Sequence, residues 1–272
     1  MNMISQPALF VSHGAPTFAI EPGVSGAQLA ALGHQLDRPR AIVVVSPHWI
    51  THGNVKVTGA RRPETIHDFG GFDSKLYEIH YPVVGDPALA QRIVTLLTEA
   101  GWSAGIDPQR GLDHGAWVPL LHLYPNAEIP VLQVSMPSDL DERKAYALGQ
   151  ALAPLSDEGV LVIGSGSLTH NLYEFRARTS AEAAYAREFT EWVRAAVQQG
   201  DVTKVVNALE RAPHAQRAHP TTEHFLPLPV ALGAARDTRR ATVLDGGITH
   251  GVLAMESYLF GRDLTLGDEV AP

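Results

Sequence analysis

The chain of 272 residues contains no cysteine. Disulfides, thiolate metal sites and a cysteine nucleophile are therefore excluded together. Charge is also sparse. Only 18% of residues are Asp, Glu, Lys or Arg, against 45% hydrophobic, a balance that builds a core rather than a disordered chain. Basic runs are missing, and 29 acidic against 21 basic side chains give a formal net charge of −8. Nucleic-acid binding is accordingly not expected. No apolar run approaches the roughly 18 residues of a membrane span, so no membrane partner is expected. The lack of Cys leaves the compartment open. Met1 to Pro7 shows no basic segment followed by a long apolar stretch, so no signal peptide is expected and the cytoplasm is the expected location. Histidine, by contrast, is plentiful, with 13 residues. Without thiolates these are the nitrogen donors open to a metal.

Five short apolar runs read as buried strands: Ala8–Val11, Ala41–Val45, Val131–Val134, Val160–Ile163 and Ala241–Leu244. They lack polar alternation, as expected of a sheet covered on both faces. Helical patterns lie between them. Asp86-Pro87 caps a segment in which Leu89, Ile93, Leu96 and Leu97 share a face up to Gly101. Thr179 and Glu182 have capping-box spacing ahead of a Tyr185, Phe189, Trp192, Val193, Ala196 stripe. Asp141–Leu152 and Asp201–Leu209 are further helix candidates. The alternation predicts an α/β fold with a largely parallel or mixed central sheet flanked by helices. No repeat or linker divides the chain, so residues 1–272 read as one domain. The stretches Arg61–Gly85 and Ala212–Pro229 read as long loops, which in compact domains often carry function.

Three of the apolar runs end alike. Ser12-His13-Gly14 follows the first, Ser46-Pro47-His48-Trp49 the second, and Gly164-Ser165-Gly166-Ser167-Leu168-Thr169-His170-Asn171 the fourth. Ligands of open α/β sheets bind beyond the carboxyl ends of the strands. If these strands are parallel neighbours, His13, His48 and His170 converge on one crevice. A fourth candidate lies in His219-Pro220-Thr221-Thr222-Glu223-His224-Phe225. A lone histidine after a strand is more often a hydrogen-bonded core or surface group, and it is the repetition of the arrangement that supports the metal reading. Imidazoles suit Zn, Fe, Cu and Ni, whereas iron–sulfur and calcium sites lack their donors here.

Other segments carry chemistry-bearing residues. In Leu112-Asp113-His114-Gly115-Ala116-Trp117, His114 is either part of a turn anchored by Trp117 or a second imidazole facing a substrate. Thr65-Ile66-His67-Asp68-Phe69-Gly70-Gly71-Phe72 is either a plain turn or a lid over an apolar ring, and His80-Tyr81-Pro82 extends that wall. The chain lacks G-x-x-x-x-G-K-[ST], G-x-G-x-x-G and G-x-S-x-G, which weakens nucleotide and serine-hydrolase readings. His34, His52, His122, His214 and His250 are assigned structural or solvent roles.

These blocks, in this order, resemble the class III extradiol ring-cleavage dioxygenases, and within them the bacterial DOPA-dioxygenase type. The resemblance rests on Ser12–Pro16, Ala41–Trp49, Thr65–Phe72, Leu112–Trp117, Thr169–Leu172 and His219–His224, and so spans almost the whole chain. It implies ring opening of a catecholic, DOPA-like substrate by O₂ at a non-haem Fe(II), with Zn(II) as an occupant of the site in isolated protein. His13 and His48 match two metal ligands. The third matching position is His224, with Glu223 beside it as the competing choice. His170 matches the acid–base histidine and is a further ligand only in a resting or zinc-loaded form. His114 would hydrogen-bond substrate or oxygen, and His67, Phe72 and His80 would bind the substrate. Two other classes share the same histidines: a zinc-dependent hydrolase, in which the metal acidifies water, and a non-catalytic binding protein on this fold.

Overall fold

Four of the five apolar runs form the centre of one eight-stranded sheet, the fifth, Ala241–Leu244, forms one edge, and short segments that periodicity does not reveal complete it. A computed structural model of the chain describes residues 4–175 and 181–265. The sheet contains β1 (Ala8–Ser12), β2 (Ala41–Thr51), β3 (Val55–Thr58), β4 (Ala104–Asp107), β5 (Val131–Pro137), β6 (Val160–Gly166), β7 (Ala241–Leu244) and β10 (Ser257–Phe260). Their order is β4-β3-β5-β2-β6-β1-β10-β7, and β8 (Ile248–Thr249) and β9 (Leu253–Ala254) make a separate small hairpin. The four central strands run parallel, with β6 between β1 and β2. β3 runs antiparallel to β5, and β10 antiparallel to β1 and β7. The sheet is therefore mixed, with β7 at an edge.

Alternate residues of the central strands enter two separate cores. Phe10, Val43, Val45 and Val162 pack with α2 (Pro87–Glu99), α4 (Glu142–Leu152), α6 (Ala184–Gln198) and α10 (Pro227–Ala234). Leu9, Val11, Ile42, Val44 and Ile163 pack with α1 (Gly23–Gln35) and α3 (His114–Leu123). Burial on both faces is why these strands read as unbroken apolar runs.

Asp86 caps α2 by accepting from the amides of Ala88 and Leu89, and Asp141 caps α4 through Lys144 N–H. Thr179, expected to cap α6, lies outside the described residues, and the helix follows Ala183 with no side-chain cap. The expected helix over Asp201–Leu209 is two short ones, α7 (Val202–Val206) and α8 (Ala208–Arg211), broken at Asn207. The expected loop Ala212–Pro229 holds one more helical turn, α9 (Ala215–Ala218). A further turn, α5 (Pro154–Asp157), precedes β6. No helix among the described residues is long and apolar enough to cross a membrane.

One strand departs from expectation in a way that shapes the site. β2 does not stop at Val45 but continues to Thr51 through an irregularity. Val45 pairs with Val134 and Ile50 with Met136, so five residues of β2 advance against two of β5. Pro47 falls in this bulge, where it costs the ladder no hydrogen bond. The bulge re-aims His48, which sits inside the strand rather than after it.

Candidate active site

Five chain segments deliver the histidines. His13 follows β1 directly, its amide bonded to Gly166 O of the neighbouring β6 at 2.9 Å. His48 comes from the bulge of β2. His170 lies four residues past the end of β6, its amide held by Ala218 O at 2.8 Å. His224 sits in the turn before α10, its carbonyl accepting from Ser167 N–H at 2.9 Å. His114 is the first residue of α3 and so has an amide with no partner inside the helix. All five line one cavity of about 400 Å³ at the carboxyl ends of the parallel strands. The expected convergence of His13, His48 and His170 thus occurs, and His114 and His224 join them.

The donor atoms form two clusters. Those of His13, His48 and His114 lie within 4.8 Å of one another, and so do those of His170, Glu223 and His224. The rings of His48 and His224 are 5.1 Å apart by centroid, and those of His13 and His224 5.6 Å. The expected triad of His13, His48 and His224 takes two members from the first cluster and one from the second. His224 lines the cavity, whereas Glu223 does not. The Glu223 carboxylate is engaged by His224 Nδ1 at 3.0 Å and Thr221 Oγ1 at 2.9 Å. That favours His224 over Glu223 as the donor facing the cavity.

Hydrogen bonding fixes which nitrogen the rings of His13, His114 and His224 present. Ser165 donates its hydroxyl proton to Gly115 O, so its oxygen accepts from His13 Nδ1–H at 3.0 Å. A carboxylate only accepts, so Glu223 takes the Nδ1–H of His224 and Asp68 that of His114, the latter at 3.0 Å. The second Asp68 oxygen stands 3.5 Å from His48 Nδ1. Each Nε2 is left free toward the cavity. The Nε2 atoms of His13 and His48 lie only 3.1 Å apart. Two imidazole lone pairs at that distance repel unless a cation or a shared proton lies between them. Two nitrogens bound to one ion are roughly 3.0–3.4 Å apart. The all-imidazole donor set with anchored Nδ1 atoms therefore fits a transition metal.

Electrostatics keep these donors neutral. Burial, reinforced by the other histidines, holds His13 and His224 well below the usual imidazole range. Burial and His114 push His48 down to about 3, against the opposing pull of Asp68. His170 is lowered by burial as well, with Glu223 working against the shift. Asp68 resists its own burial through its bonds to His114 and falls to about 2, so it is ionised. Neutral imidazole is the form that binds metal.

Apolar side chains complete the cavity: Pro16, Phe69, Phe72, Leu172, Phe175 and Leu253. Phe72 thus lies where the sequence reading put it. His67 and His80 do not line the cavity. His67 donates from Nε2 to Ile79 O at 2.9 Å and packs behind Phe69, and His80 is exposed beyond it. Both were expected in the substrate wall; their rings support it from behind because the loop turns Phe69 and Phe72 inward. His219 is buried with Nε2 donating to Leu168 O, which makes His224 the cavity residue of its segment. His52, His122 and His214 are engaged by Ser138, Phe18 and Glu188. Sequence reasoning missed Asp68 and Ser165 as anchors. Asp68 had one signal, a short acid in an aromatic, glycine-rich loop.

Comparison with known proteins accords with this geometry. Residues 8–260 match the family model described as the catalytic LigB subunit of aromatic ring-opening dioxygenase. A Beta vulgaris protein named 4,5-DOPA dioxygenase extradiol is 42% identical over 256 residues, covering 92% of this chain and 95% of its own. An Escherichia coli K12 protein of the same name is 41% identical over 266 residues, covering 96% and 97%. The crystal structure of an uncharacterized Escherichia coli K12 protein superimposes with a TM-score of 0.77 at 35% identity, over 94% of this chain and all of that one. With five histidines gathered at the strand ends and a family match spanning nearly its full length, the chain belongs to the family of the LigB catalytic subunit, the extradiol aromatic ring-opening dioxygenases.

Proposed function

We propose that this chain, acting as one catalytic domain, opens the ring of a catecholic, DOPA-like substrate with O₂, using Fe(II) held by His13, His48 and His224. The observation that carries the reading is the pair of Nε2 atoms of His13 and His48, 3.1 Å apart with both Nδ1 sides facing oxygen partners. His224 supplies the third donor from across the cavity, its Nδ1 tied to Glu223. Three protein donors leave positions open for two catechol oxygens and O₂. Iron(II), when bound, supplies Lewis-acid polarisation of the catechol and a one-electron path between ring and O₂, which zinc lacks. Zinc occupancy therefore belongs to an inactive form, with His170 as its further donor.

The chain's own residues do the rest. His170 accepts a catechol proton: its ring has no protein hydrogen bond among the described residues, and burial keeps it neutral. The same ring, once protonated, returns that proton later in the reaction. His114 presents Nε2 to the substrate because Asp68 holds its Nδ1–H. Phe69 and Phe72 stack against the substrate ring and exclude water, with His67 fixing that wall through Ile79. His80 bears on the outer side of the same wall.

The test is metal analysis of single His→Ala variants at positions 13, 48 and 224. Each is expected to lose Fe(II), and His170→Ala to keep it. Full metal retention in the His224 variant, with loss in Glu223→Gln, would reverse the third assignment.

A further inference from the structure

Asp68 touches two imidazoles with different tasks. Its Oδ1 accepts from both the His114 amide, at 2.9 Å, and His114 Nδ1–H, at 3.0 Å. Its Oδ2 faces His48 Nδ1 at 3.5 Å. The rings of His48 and His114 are themselves in contact, with centroids 4.0 Å apart.

The carboxylate is held firmly by the loop that carries it. Glu64 O accepts from Leu112 N–H and Leu112 O from Ile66 N–H, each at 2.8 Å, a one-residue parallel bridge onto the segment leading into α3. Trp117 Nε1–H then donates to Ile66 O at 2.9 Å. His67 is fixed on Ile79 O. Gly111 permits the approach, since a Cβ there would stand 2.3 Å from Glu64 O. Asp68 is thereby brought over the start of α3, where a carboxylate satisfies an amide the helix leaves free.

We propose that Asp68 is a positioning residue that sets the proton on Nδ1 of both His48 and His114, so that one carboxylate orients a metal donor and a substrate-facing imidazole at once. The inference rests on the reading of His48 as a ligand. Its logic is that of hydrogen-bond inventory. An ionised carboxylate offers only lone pairs, so any nitrogen facing it is best protonated. The Nε2 of each ring then carries the lone pair, which His48 turns to the metal and His114 to the substrate. Phe69, next in the chain, lies edge-on to His114 with ring planes at 90° and centroids 5.6 Å apart. The aromatic wall and the metal donors are consequently parts of one rigid unit.

Two variants separate the contacts. In Asp68→Asn the amide oxygen still serves the two His114 donors, while its NH₂ faces His48 Nδ1–H, donor against donor. In Asp68→Ala both rings lose their acceptor. The measurements are Zn(II) affinity by competition with a chelator, and ¹⁵N NMR of the histidine rings in Zn(II)-loaded protein, which needs no turnover. The expected results are a loss of Zn(II) affinity of about 10–100-fold in both variants. His114 is expected to stay protonated at Nδ1 in the parent and in Asp68→Asn, and to become a tautomer mixture in Asp68→Ala. Zn(II) affinity within twofold of the parent in both variants would overturn the proposal. So would a parent His114 whose only proton is on Nε2, a result that decides even if neither variant folds. His48→Ala isolates the premise: if it retains Zn(II), the ligand reading has failed, and if it loses Zn(II) while both Asp68 variants do not, only this inference has.

Discussion

The ring of His170 lies flat against that of His224, with centroids 3.5 Å apart and planes within 8° of each other. The proposed acid–base group thus rests on a proposed ligand, with its backbone amide held by Ala218 O. His224 has its Nδ1 tied to Glu223, whereas neither His170 ring nitrogen is fixed by a protein partner among the described residues. A ring so placed can exchange a proton without breaking an existing bond.

His170→Ala separates the two roles open to this residue. The expected variant binds Fe(II) as the parent does, still perturbs the spectrum of an added catechol, and turns over at least about a hundredfold more slowly. Protein that copurifies without metal and resists reloading would make His170 a primary ligand. Near-normal turnover would move the proton transfer to His114 or water.

Gly115 is required by close approach. A Cβ there would stand 2.3 Å from Ser46 Oγ and 3.0 Å from His48 Cδ2. Gly115→Ala is expected to push the bulge of β2 away from α3, costing about 1–3 kcal/mol of stability and weakening metal binding through His48. Denaturant unfolding and chelator competition check the two effects separately. An unchanged metal affinity would show that His48 is not held by this packing.

The convergence of His13, His48 and His170 was legible because each follows a run of Val, Ile or Leu and because such runs become adjacent parallel strands. The bulge was not legible, since Ser46-Pro47-His48 reads equally as a strand end. β3 and β4 escaped notice as four-residue strands on one side of the sheet, and β4, at the edge, is only partly buried throughout. α1 and α10 carry little amphipathic signal: α1 has few large apolar residues, and α10 is buried on all sides. Asp68 lies outside any periodic element, and its partners His48 and His114 are 20 and 46 positions away, so only the folded chain reveals its role.

The wall of the cavity is expected to bind substrate without holding metal. Phe69→Ala removes a ring that lines the cavity and meets His114 edge-on. An aromatic contact of about 0.5–1.5 kcal/mol corresponds to a roughly two- to twelvefold rise in KM. His67→Ala, and the double variant His67→Ala/His80→Ala, act in the same direction by loosening the support. Steady-state kinetics with parallel metal analysis checks this. Metal loss in any of these variants would make the wall part of the metal site.

Stability is expected to fall in mild acid because of His219. It is buried against Phe189 and Phe225, and burial pushes its pKa from 6.5 down to about 4. The unfolded chain therefore binds a proton that the folded chain refuses between pH 6.5 and 4. The contribution is complete above pH 6.5 and is lost as pH falls toward 4, by about 3 kcal/mol at most. His219→Gln, whose side-chain amide can keep the bond to Leu168 O, should flatten this part of the pH–stability curve. Urea titrations of both proteins from pH 7 to 4 measure it. Equal slopes would show that His219 titrates normally in the fold.

The central claim is that the histidine cavity uses iron to insert O₂ into a catechol ring. Protein loaded anaerobically with Fe(II), mixed with DOPA and then exposed to ¹⁸O₂, tests it most directly by mass spectrometry of the product. The account predicts a yellow ring-opened product carrying both labelled oxygen atoms before any exchange with water, formed by the Fe(II) protein and not by the Zn(II) protein. Intact DOPA with no oxygen consumed by the Fe(II)-loaded protein would contradict it.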